Sequence, residues 1–331
     1  MSQIANFSSG GGYSHVECKI IPDSKKYPCK TVDDIEVRIK EQLEGLKPDK
    51  TALLLSGGID SGILASYMPK GTAAYTVDSP AKEAEIEIAR AKKVCECYGL
   101  EHRIVEVTWQ DYEDCIDTLM KHDGCPVFAN EPQVYTLAKQ IMNDGFNEVV
   151  FGDNADMAFG GYDRLLSKDW TFDEWVERYT FVKPESVLKN PVDVTRVYEA
   201  YRTGANGINF IKFLDEVLAI SSSGAYVNAF DSLGLRYLDP YASLKMSEPL
   251  DLARVRSGES KYMLRELYRR RFPGLEVPEK IAMPRAVDEW MADWEGPVRD
   301  EFVEGCIDGM TGEQKFMVYS LERFLNLMDL Q

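Results

Sequence analysis

The chain has 331 residues, of which 44% are apolar and 28% are charged, and its formal net charge is -17. This length and composition predict an enzyme-sized globular protein rather than a disordered chain or a small disulfide-stapled one. The acidic charge disfavours a nucleic-acid partner, and no apolar stretch approaches the roughly 20 residues that span a bilayer, which disfavours a membrane partner. Seven scattered cysteines without paired spacing predict reduced thiols, so we expect a soluble, cytoplasmic protein.

Residues 1–48 are predicted to form a lead-in strand and helix that precede the main domain. The alternation of apolar and polar residues in Tyr13–Ile21 is typical of an edge strand. Thr31 has the residue type of a helix N-cap, and the amphipathic pattern behind it predicts a helix over residues 32–46.

Residues 49–165 alternate short apolar runs with helical patterns. Strands are predicted at TALLLS, AAYTV, HRIVEV and NEVVF, and helices over residues 60–67, 81–98, 110–121 and 132–144. This order predicts an α/β fold with a parallel sheet, whose ligands bind beyond the C-terminal ends of the strands. No strand run is evident after about Gly160, so residues 166–331 are predicted to form a mostly helical C-terminal region that completes the active site.

The segment LLLSGGIDSG, Leu53–Gly62, lies where a buried strand is predicted to end and a helix to begin. Its glycines let the backbone approach an anion closely and its serines can donate hydrogen bonds, so the loop suits phosphate. Asp60 would be poorly placed against bare phosphate unless it binds Mg²⁺, a hard cation that bridges phosphate oxygens. The loop lacks the Lys-Ser/Thr ending of the G-x-x-x-x-G-K loop, which argues against a kinase or GTPase.

The string SGGIDSG resembles the PP-loop of the ATP pyrophosphatase superfamily, whose members cleave ATP between its α- and β-phosphates. A second motif, VVFGDNADMAFGGYDR at Val149–Arg164, follows another predicted strand. With this motif the chain resembles the synthetase domain of asparagine synthetase and of its relatives, the β-lactam and carbapenam synthetases. The resemblance covers roughly residues 30–300 and implies a PP-loop (adenine nucleotide α-hydrolase-like) domain.

The resemblance implies ATP and Mg²⁺ as cofactors and assigns roles within both motifs. Asp60 and Asp156 correspond to the two Mg²⁺ ligands, and Gly152 corresponds to a backbone contact near the adenylate. Val77, and less specifically Asp78, correspond to the strand end that contacts adenine. The residues of the first motif expected to bind the nucleotide are Leu55, Ser56, Gly57, Gly58, Asp60 and Ser61.

Lysines and one further carboxylate are candidates for the chemistry. Lys280, beyond the segment SKYMLRELYRRRF, corresponds to the family lysine that neutralises charge on the α-phosphate and pyrophosphate. Asp153 stands where asparagine synthetases carry a Glu that manages the proton of ammonia. Two interpretations of Asp153 stay open, a general base or a cap of the following helix. Lys261 and Arg265, four residues apart, either hold phosphates or solvate one helix face.

The implied reaction is adenylation of a small carboxylate, with release of pyrophosphate, and transfer of the acyl group to ammonia or an amine. Asn154 and Met157 depart from the asparagine synthetase pattern, which puts aspartate in doubt as the substrate. Ser2 stands where a glutaminase domain would have its cysteine, so ammonia is expected to be free or to come from a separate glutaminase. Acceptor contacts are expected in the loop Cys125–Gln133, with Glu131 as a candidate.

Two alternatives from other classes are left open. A PP-loop enzyme that modifies a nucleobase, such as a tRNA-thiolating enzyme, would need a basic RNA-binding face and a working cysteine pair. A catalytically silent partner subunit would have no need of Asp60, Asp156 and Lys280 together. The sequence leaves the oligomeric state open, and a homodimer is compatible with it.

Overall fold

The computed structural model describes residues 21–330. The strands are β1 (Tyr27–Cys29), β2 (Thr51–Leu54), β3 (Ala73–Asp78), β4 (Glu101–Glu106), β5 (Glu148–Val150), β6 (Arg202–Thr203), β7 (Gly207–Ile208), β8 (Arg236–Leu238) and β9 (Leu244–Met246). The helices are α1 (Val32–Leu43), α2 (Ile59–Ala65), α3 (Ala84–Tyr98), α4 (Trp109–Asp123), α5 (Asn130–Asn143), α6 (Ala155–Phe159), α7 (Asp163–Leu166), α8 (Phe172–Tyr179), α9 (Pro184–Val187), α10 (Thr195–Glu199), α11 (Phe210–Phe213), α12 (Ala219–Asp231), α13 (Leu252–Arg256), α14 (Tyr262–Arg271), α15 (Val287–Trp290) and α16 (Gly312–Asp329). The predicted edge strand at Tyr13–Ile21 falls, except for its last residue, outside the described part of the chain.

Five strands form one parallel sheet in the order β4-β3-β2-β5-β8. Leu53 of β2 pairs with Ala74 of β3 on one side and with Val150 of β5 on the other. The chain therefore adds strands first to one edge of β2 and then to the other, and the strand order reverses between β2 and β5. In such a sheet the ligand crevice lies beyond the C-terminal ends of the two strands at the reversal.

Successive residues of the central strands point to opposite faces of the sheet, and both faces are covered by helices. Leu53 and Val150 pack into a core with α1, α2, α3 and α14. Ala52 and Val149 pack into a second core with α4, α5 and α12. The predicted α/β fold, with a parallel sheet and a mostly helical C-terminal half, is confirmed.

The expectation that no strand follows Gly160 is wrong. Strand β8 joins the main sheet parallel to β5, with Glu148 opposite Arg236, and β9 pairs with β1. Both are three-residue strands whose partners lie far away in the sequence, so their local pattern carries little signal. The division into parts at residues 48/49 and 165/166 stays a prediction, although β8 shows that the C-terminal part contributes to the sheet.

The predicted capping of α1 by Thr31 is confirmed. The Thr31 hydroxyl accepts the Asp34 N–H, and the Asp34 carboxylate accepts the Thr31 N–H, which makes a reciprocal capping box. The helix ends at Leu43, three residues before the predicted end. Within residues 21–330, no helix is both long enough and apolar enough to cross a membrane.

Candidate active site

The first aspartate loop, residues 56–61, connects β2 to α2 at the crevice. The hydroxyls of Ser56 and Ser61 lie 3.0 Å apart, and the Ser61 hydroxyl also accepts the Ser56 N–H at 3.2 Å. Gly57 has a φ of +72°, and a Cβ there would lie 2.6 Å from Cβ of Arg90 and 2.7 Å from the Ala91 nitrogen. Only glycine therefore lets the loop pack against α3 and turn Asp60 toward the crevice.

The second aspartate loop, residues 152–161, follows β5 and contains α6. Asn154 donates from its backbone N–H at 2.8 Å and from its side-chain amide at 2.9 Å to one carboxylate oxygen of Asp239, at the end of β8. A Cβ on Gly152 would lie 3.1 Å from Leu64 and from Tyr241, so the loop is held closely against α2 and the segment after β8. The departure at Asn154 thus has a structural role in this chain.

The two loops bring Asp60 and Asp156 together around one buried lysine. The Lys261 ammonium forms ion pairs with the carboxylates of both residues, and Lys261 is only 4% exposed. Lys280 adds contacts of 3.0 Å to each Asp156 oxygen and donates to the Gly161 carbonyl at 2.6 Å. Burial raises the pKa of Asp60, whereas Lys261 and Lys280 outweigh burial and lower the pKa of Asp156, which keeps Asp156 ionised.

Lys261 reaches this position through an uncommon backbone conformation. Its φ is +50°, and among the described residues it is the one non-glycine residue with a positive φ. It precedes α14 rather than lying on a helix face with Arg265, so it does not simply solvate that helix. The Arg265 side chain donates to the Ser260 carbonyl at 2.8 Å and lines the same side of the crevice.

Gly161 is the residue that lets the charged groups meet. A Cβ on Gly161 would lie 1.8 Å from a carboxylate oxygen of Asp156 and 2.1 Å from Cε of Lys261. Both neighbours belong to the ion pair between Lys261 and the carboxylates, so a methyl group at this position would displace members of that pair. Crowding by Asp156 and Lys261 therefore explains the second glycine of the Gly160-Gly161 pair.

The carboxylate pair fits Mg²⁺. One oxygen of Asp60 is buried and has no hydrogen-bond partner among the described residues, although a buried carboxylate oxygen normally has one. Carboxylate oxygens are the ligands that Mg²⁺ prefers, and nucleotide phosphates and water commonly complete its coordination. Within residues 21–330, no cluster of three or more His, Cys, Asp or Glu side chains suited to a metal occurs.

Asp153 lies beside the carboxylate pair but makes different contacts. Its two oxygens accept hydrogen bonds from the hydroxyls of Ser222 at 2.9 Å and Ser223 at 3.1 Å, both on α12. Helix α6 begins after Asn154 and has no side-chain cap, so Asp153 does not cap it. Burial, reinforced by the negative charge of Asp239, raises the pKa of Asp153 to about 7.

Two neighbouring cavities lie in this region. The first cavity, of about 190 Å³, has among its lining residues Leu55, Ser56, Asp60, Ser61, Val77, Gly152, Asp153 and Asp156. The second cavity, of about 110 Å³, shares Ser56, Asp60 and Asp156 with the first and is also lined by Gly58, Arg90, Lys261, Arg265 and Lys280. The structure thus brings the residues predicted from both motifs together with Lys280, while Gly57 supports the first aspartate loop from behind.

Glu131 is placed away from the cavity walls. It is 2% exposed, and its carboxylate accepts the Phe128 N–H at 2.7 Å and the Asn228 amide at 2.8 Å. Burial raises its pKa to about 8. Its neighbour in the same predicted loop, Gln133, does line the first cavity. Gln133 falls within the loop predicted to contact the acceptor, whereas Gly161 and Ser222 were not predicted as individual site residues. Each has a partner far away in the sequence, namely Pro284 for Gln133, Lys280 for Gly161 and Asp153 for Ser222.

The comparison with protein families agrees with the motifs. The family model described as Asparagine synthase matches residues 42–212, more than half of the chain. This chain belongs to the asparagine synthase family.

Curated relatives match over parts of their length. The chain is 30% identical to the glutamine-hydrolyzing asparagine synthetase of Asparagus officinalis over 128 residues, which are 33% of this chain and 21% of that protein. It is 26% identical to a putative glutamine-hydrolyzing asparagine synthetase of Methanocaldococcus jannaschii over 230 residues, 64% of this chain and 39% of that protein. The chain therefore spans only about a fifth to two fifths of these relatives.

Solved structures with weaker likeness include the NMN synthetase of Francisella tularensis. That match has a TM-score of 0.30 and 12% identity over 76% of this chain and all of that one. The NH3-dependent NAD synthetase of Campylobacter jejuni matches with a TM-score of 0.26 and 16% identity, over 76% of this chain and 97% of that one. Similarity at this level does not indicate the activity of this chain.

Proposed function

We propose that this protein is an ATP-dependent amide-forming ligase, which converts a substrate carboxylate to an acyl-adenylate and then to an amide. The observation that carries the proposal is the meeting of Asp60 and Asp156 with Lys261 and Lys280 at the strand-order reversal. Paired carboxylates beside several cations suit a nucleotide triphosphate and the charge that develops as pyrophosphate leaves.

The cationic side of the crevice is suited to the phosphates. Arg90, Lys261, Arg265 and Lys280 line the second cavity together with the serine-glycine loop. Lys261 and Lys280 are held by carboxylates and a carbonyl, so their ammonium groups are oriented before substrate arrives. Mg²⁺, when held by Asp60 and Asp156, would neutralise phosphate charge and fix the geometry of the triphosphate.

Asp153 is suited to the second half of the reaction, in which ammonia or an amine attacks the acyl-adenylate. A base is most effective when its pKa lies near the working pH, and the pKa of Asp153 is raised to about 7. The Ser222 and Ser223 hydroxyls hold the carboxylate in place while it accepts the proton of the attacking nitrogen. We therefore assign Asp153 to proton acceptance in amide formation.

The proposal includes a carboxylate whose identity is open, and a nitrogen source that is free ammonia, ammonia from a separate glutaminase, or an amine.

The nucleobase-modifying alternative is less well supported. It needs a reactive cysteine pair, but Cys95 is buried, and burial raises its pKa to about 11, which keeps the thiol protonated and unreactive.

The test is release of AMP and pyrophosphate from Mg-ATP across a panel of carboxylic acids with ammonia present, beginning with aspartate. AMP that forms with one class of acid, and is lost in Asp60→Asn, is the expected result. Formation of ADP instead of AMP would show that the β–γ bond is cleaved and would overturn the proposal. A protein that binds ATP but turns over with no acid would favour the silent-subunit alternative.

A further inference from the structure

Buried polar side-chain atoms without a partner are few in the described part of the chain. They are Asp60 Oδ1, Tyr67 Oη, Ser79 Oγ, Gln133 Oε1 and Trp175 Nε1. Two of these residues, Asp60 and Gln133, line the first cavity. Asp60 lies at the phosphate side of the crevice, which leaves the Gln133 oxygen as an acceptor in need of a different donor.

The orientation of the Gln133 amide is determined by its surroundings. The side chain is fully buried, and its Nε2 donates to the Pro284 carbonyl at 3.1 Å. A carbonyl oxygen can only accept, so the amide nitrogen must face Pro284 and the amide oxygen must face away from it. An acceptor that is buried without a donor is costly, and such an atom on a cavity wall is expected to find its donor on a ligand.

The walls around Gln133 are apolar and suit a flat ring. Gln133 and Leu137 are four residues apart on α5 and so share one face of that helix. Opposite them, Tyr75 and Val77 are two residues apart on β3 and point to the same face of the sheet, beside Leu54 of β2. The first cavity therefore joins an apolar slot, with one acceptor on its wall, to the charged crevice.

A nucleotide bound as proposed would extend from the charged side into this slot. The second cavity, which holds the lysines, shares Ser56, Asp60 and Asp156 with the first. Phosphates placed between these carboxylates and Lys280 thus direct the base toward Val77 and Gln133. Adenine presents an amino group at its 6-position, whereas guanine presents a carbonyl oxygen there.

We propose that Gln133 Oε1 accepts a hydrogen bond from the 6-amino group of adenine and so selects ATP over GTP. This inference rests on the proposed function for the placement of the nucleotide. Gln133 is then a specificity-determining residue that lies in the first turn of α5, outside both aspartate loops. With GTP, two acceptor oxygens would face each other in a buried slot.

The experiment measures equilibrium binding of three triphosphates to the wild-type protein with Mg²⁺: α,β-methylene-ATP, its purine riboside analogue without the 6-amino group, and its guanosine analogue. The non-cleavable bond and the omission of any carboxylate separate binding from turnover. We expect the adenine compound to bind roughly 10- to 100-fold more tightly than the purine compound, the usual size of one well-placed base contact. Equal affinity for the two would overturn the proposal without any mutation.

Two variants locate the contact. Gln133→Met and Gln133→Leu remove the acceptor at similar size, and each should weaken adenine binding until the ratio to the purine compound approaches one. Gln140→Leu, on the solvent-accessible part of the same helix, is the matched control and should keep the wild-type ratio. An unchanged ratio in both Gln133 variants would overturn the assignment, and so would a failure of the wild-type protein to bind the adenine compound. If the protein forms no AMP but the binding ratios change as expected, the hydrogen bond from Gln133 to adenine is supported and the proposed ligase reaction is disproved.

Discussion

The two aspartate loops each present a carboxylate to Lys261, but they are held in place in different ways. In the loop of residues 56–61, Ser56, Gly57 and Ser61 are positioned by neighbours within the first half of the chain. Asp60 is also held from the C-terminal half, because the Tyr241 hydroxyl donates to its carbonyl at 3.0 Å and Lys261 pairs with its carboxylate. The loop of residues 152–161 is held by the C-terminal half, through the Asn154–Asp239 hydrogen bonds and the Lys280 contacts. The comparison teaches that the serine-glycine part of the first loop is placed by local structure, whereas the second loop and the lysine shared by both carboxylates depend on distant segments.

Replacing Lys261, which both loops share, should have the largest effect. Lys261→Met leaves two neighbouring carboxylates without their common cation and removes a charge from the proposed phosphate site. We expect AMP formation to fall by roughly 1000-fold, as when a preorganised electrostatic group is lost. Initial rates with saturating acid and ATP provide the measurement.

Lys93→Met, at an exposed position on α3, serves as the control for loss of one positive charge. The more conservative Lys261→Arg shows whether charge alone is sufficient. Near wild-type rates in Lys261→Met, in a protein that melts normally, would contradict the role of Lys261 in both loops.

Gly161→Ala should displace Asp156 in the second loop and, through Lys261, disturb the ion pair with Asp60 in the first. The added methyl group would overlap Asp156 and Lys261, so the side chains of the proposed phosphate site must shift. A displacement of about 1 Å costs about 100-fold in rate, and we expect a loss of at least that size. Steady-state AMP release measures it.

Gly224→Ala is the matched control, because a Cβ there meets nothing within 4 Å and the residue lies inside α12. It should keep full activity and gain about 0.5 to 1 kcal/mol in the free energy of unfolding. If both glycine variants retained activity, the steric argument for Gly161 would be wrong.

Asp153 belongs to the second loop and has no counterpart in the first, so its removal should separate the two half-reactions. Asp153→Asn is expected to slow amide formation by about 100-fold while ATP–pyrophosphate exchange continues, because only the second step needs a base. The ratio of wild-type to variant rates should rise with pH through about 7, where the wild-type carboxyl loses its proton. A ratio that is constant between pH 6 and 8 would count against Asp153 as the base.

The smallest effect on activity is expected at Glu131, which lies outside both loops. The unfolded chain loses this proton near pH 4, whereas burial raises the folded pKa to about 8. The folded state thus binds more protons between these values, and the free energy of unfolding falls as pH rises through this window. Glu131→Gln should flatten this fall, by on the order of 1 to 4 kcal/mol at pH 8, and leave AMP formation unchanged.

Melting temperatures from pH 4.5 to 8.5 test this prediction. Glu87, whose pKa burial also raises to about 8, should leave part of the slope in the variant. An identical pH profile in both proteins would show that Glu131 does not stay protonated in the fold.

Much of the α/β half could be predicted from the sequence because its signals are local. The capping box at Thr31 and the apolar runs of β2, β3 and β5 show in the residue pattern alone. Strand β8 could not be predicted in this way, because three residues carry little pattern and pairing with β5 defines the strand. The predicted acceptor loop makes Glu131 a candidate acceptor contact. In the structure its carboxylate instead accepts hydrogen bonds from Phe128 and Asn228.

The sequence by itself determined the parallel α/β fold, the family and the positions of the two aspartates after apolar strands. Only the tertiary structure decided that Lys261 lies between those aspartates and that Gly161 makes room for the contact. It also decided that Gln133 has an unpaired oxygen at the cavity. The physical reason is range: strand and turn propensities act between near neighbours, whereas ion pairs and steric limits depend on atoms that meet only in the folded chain.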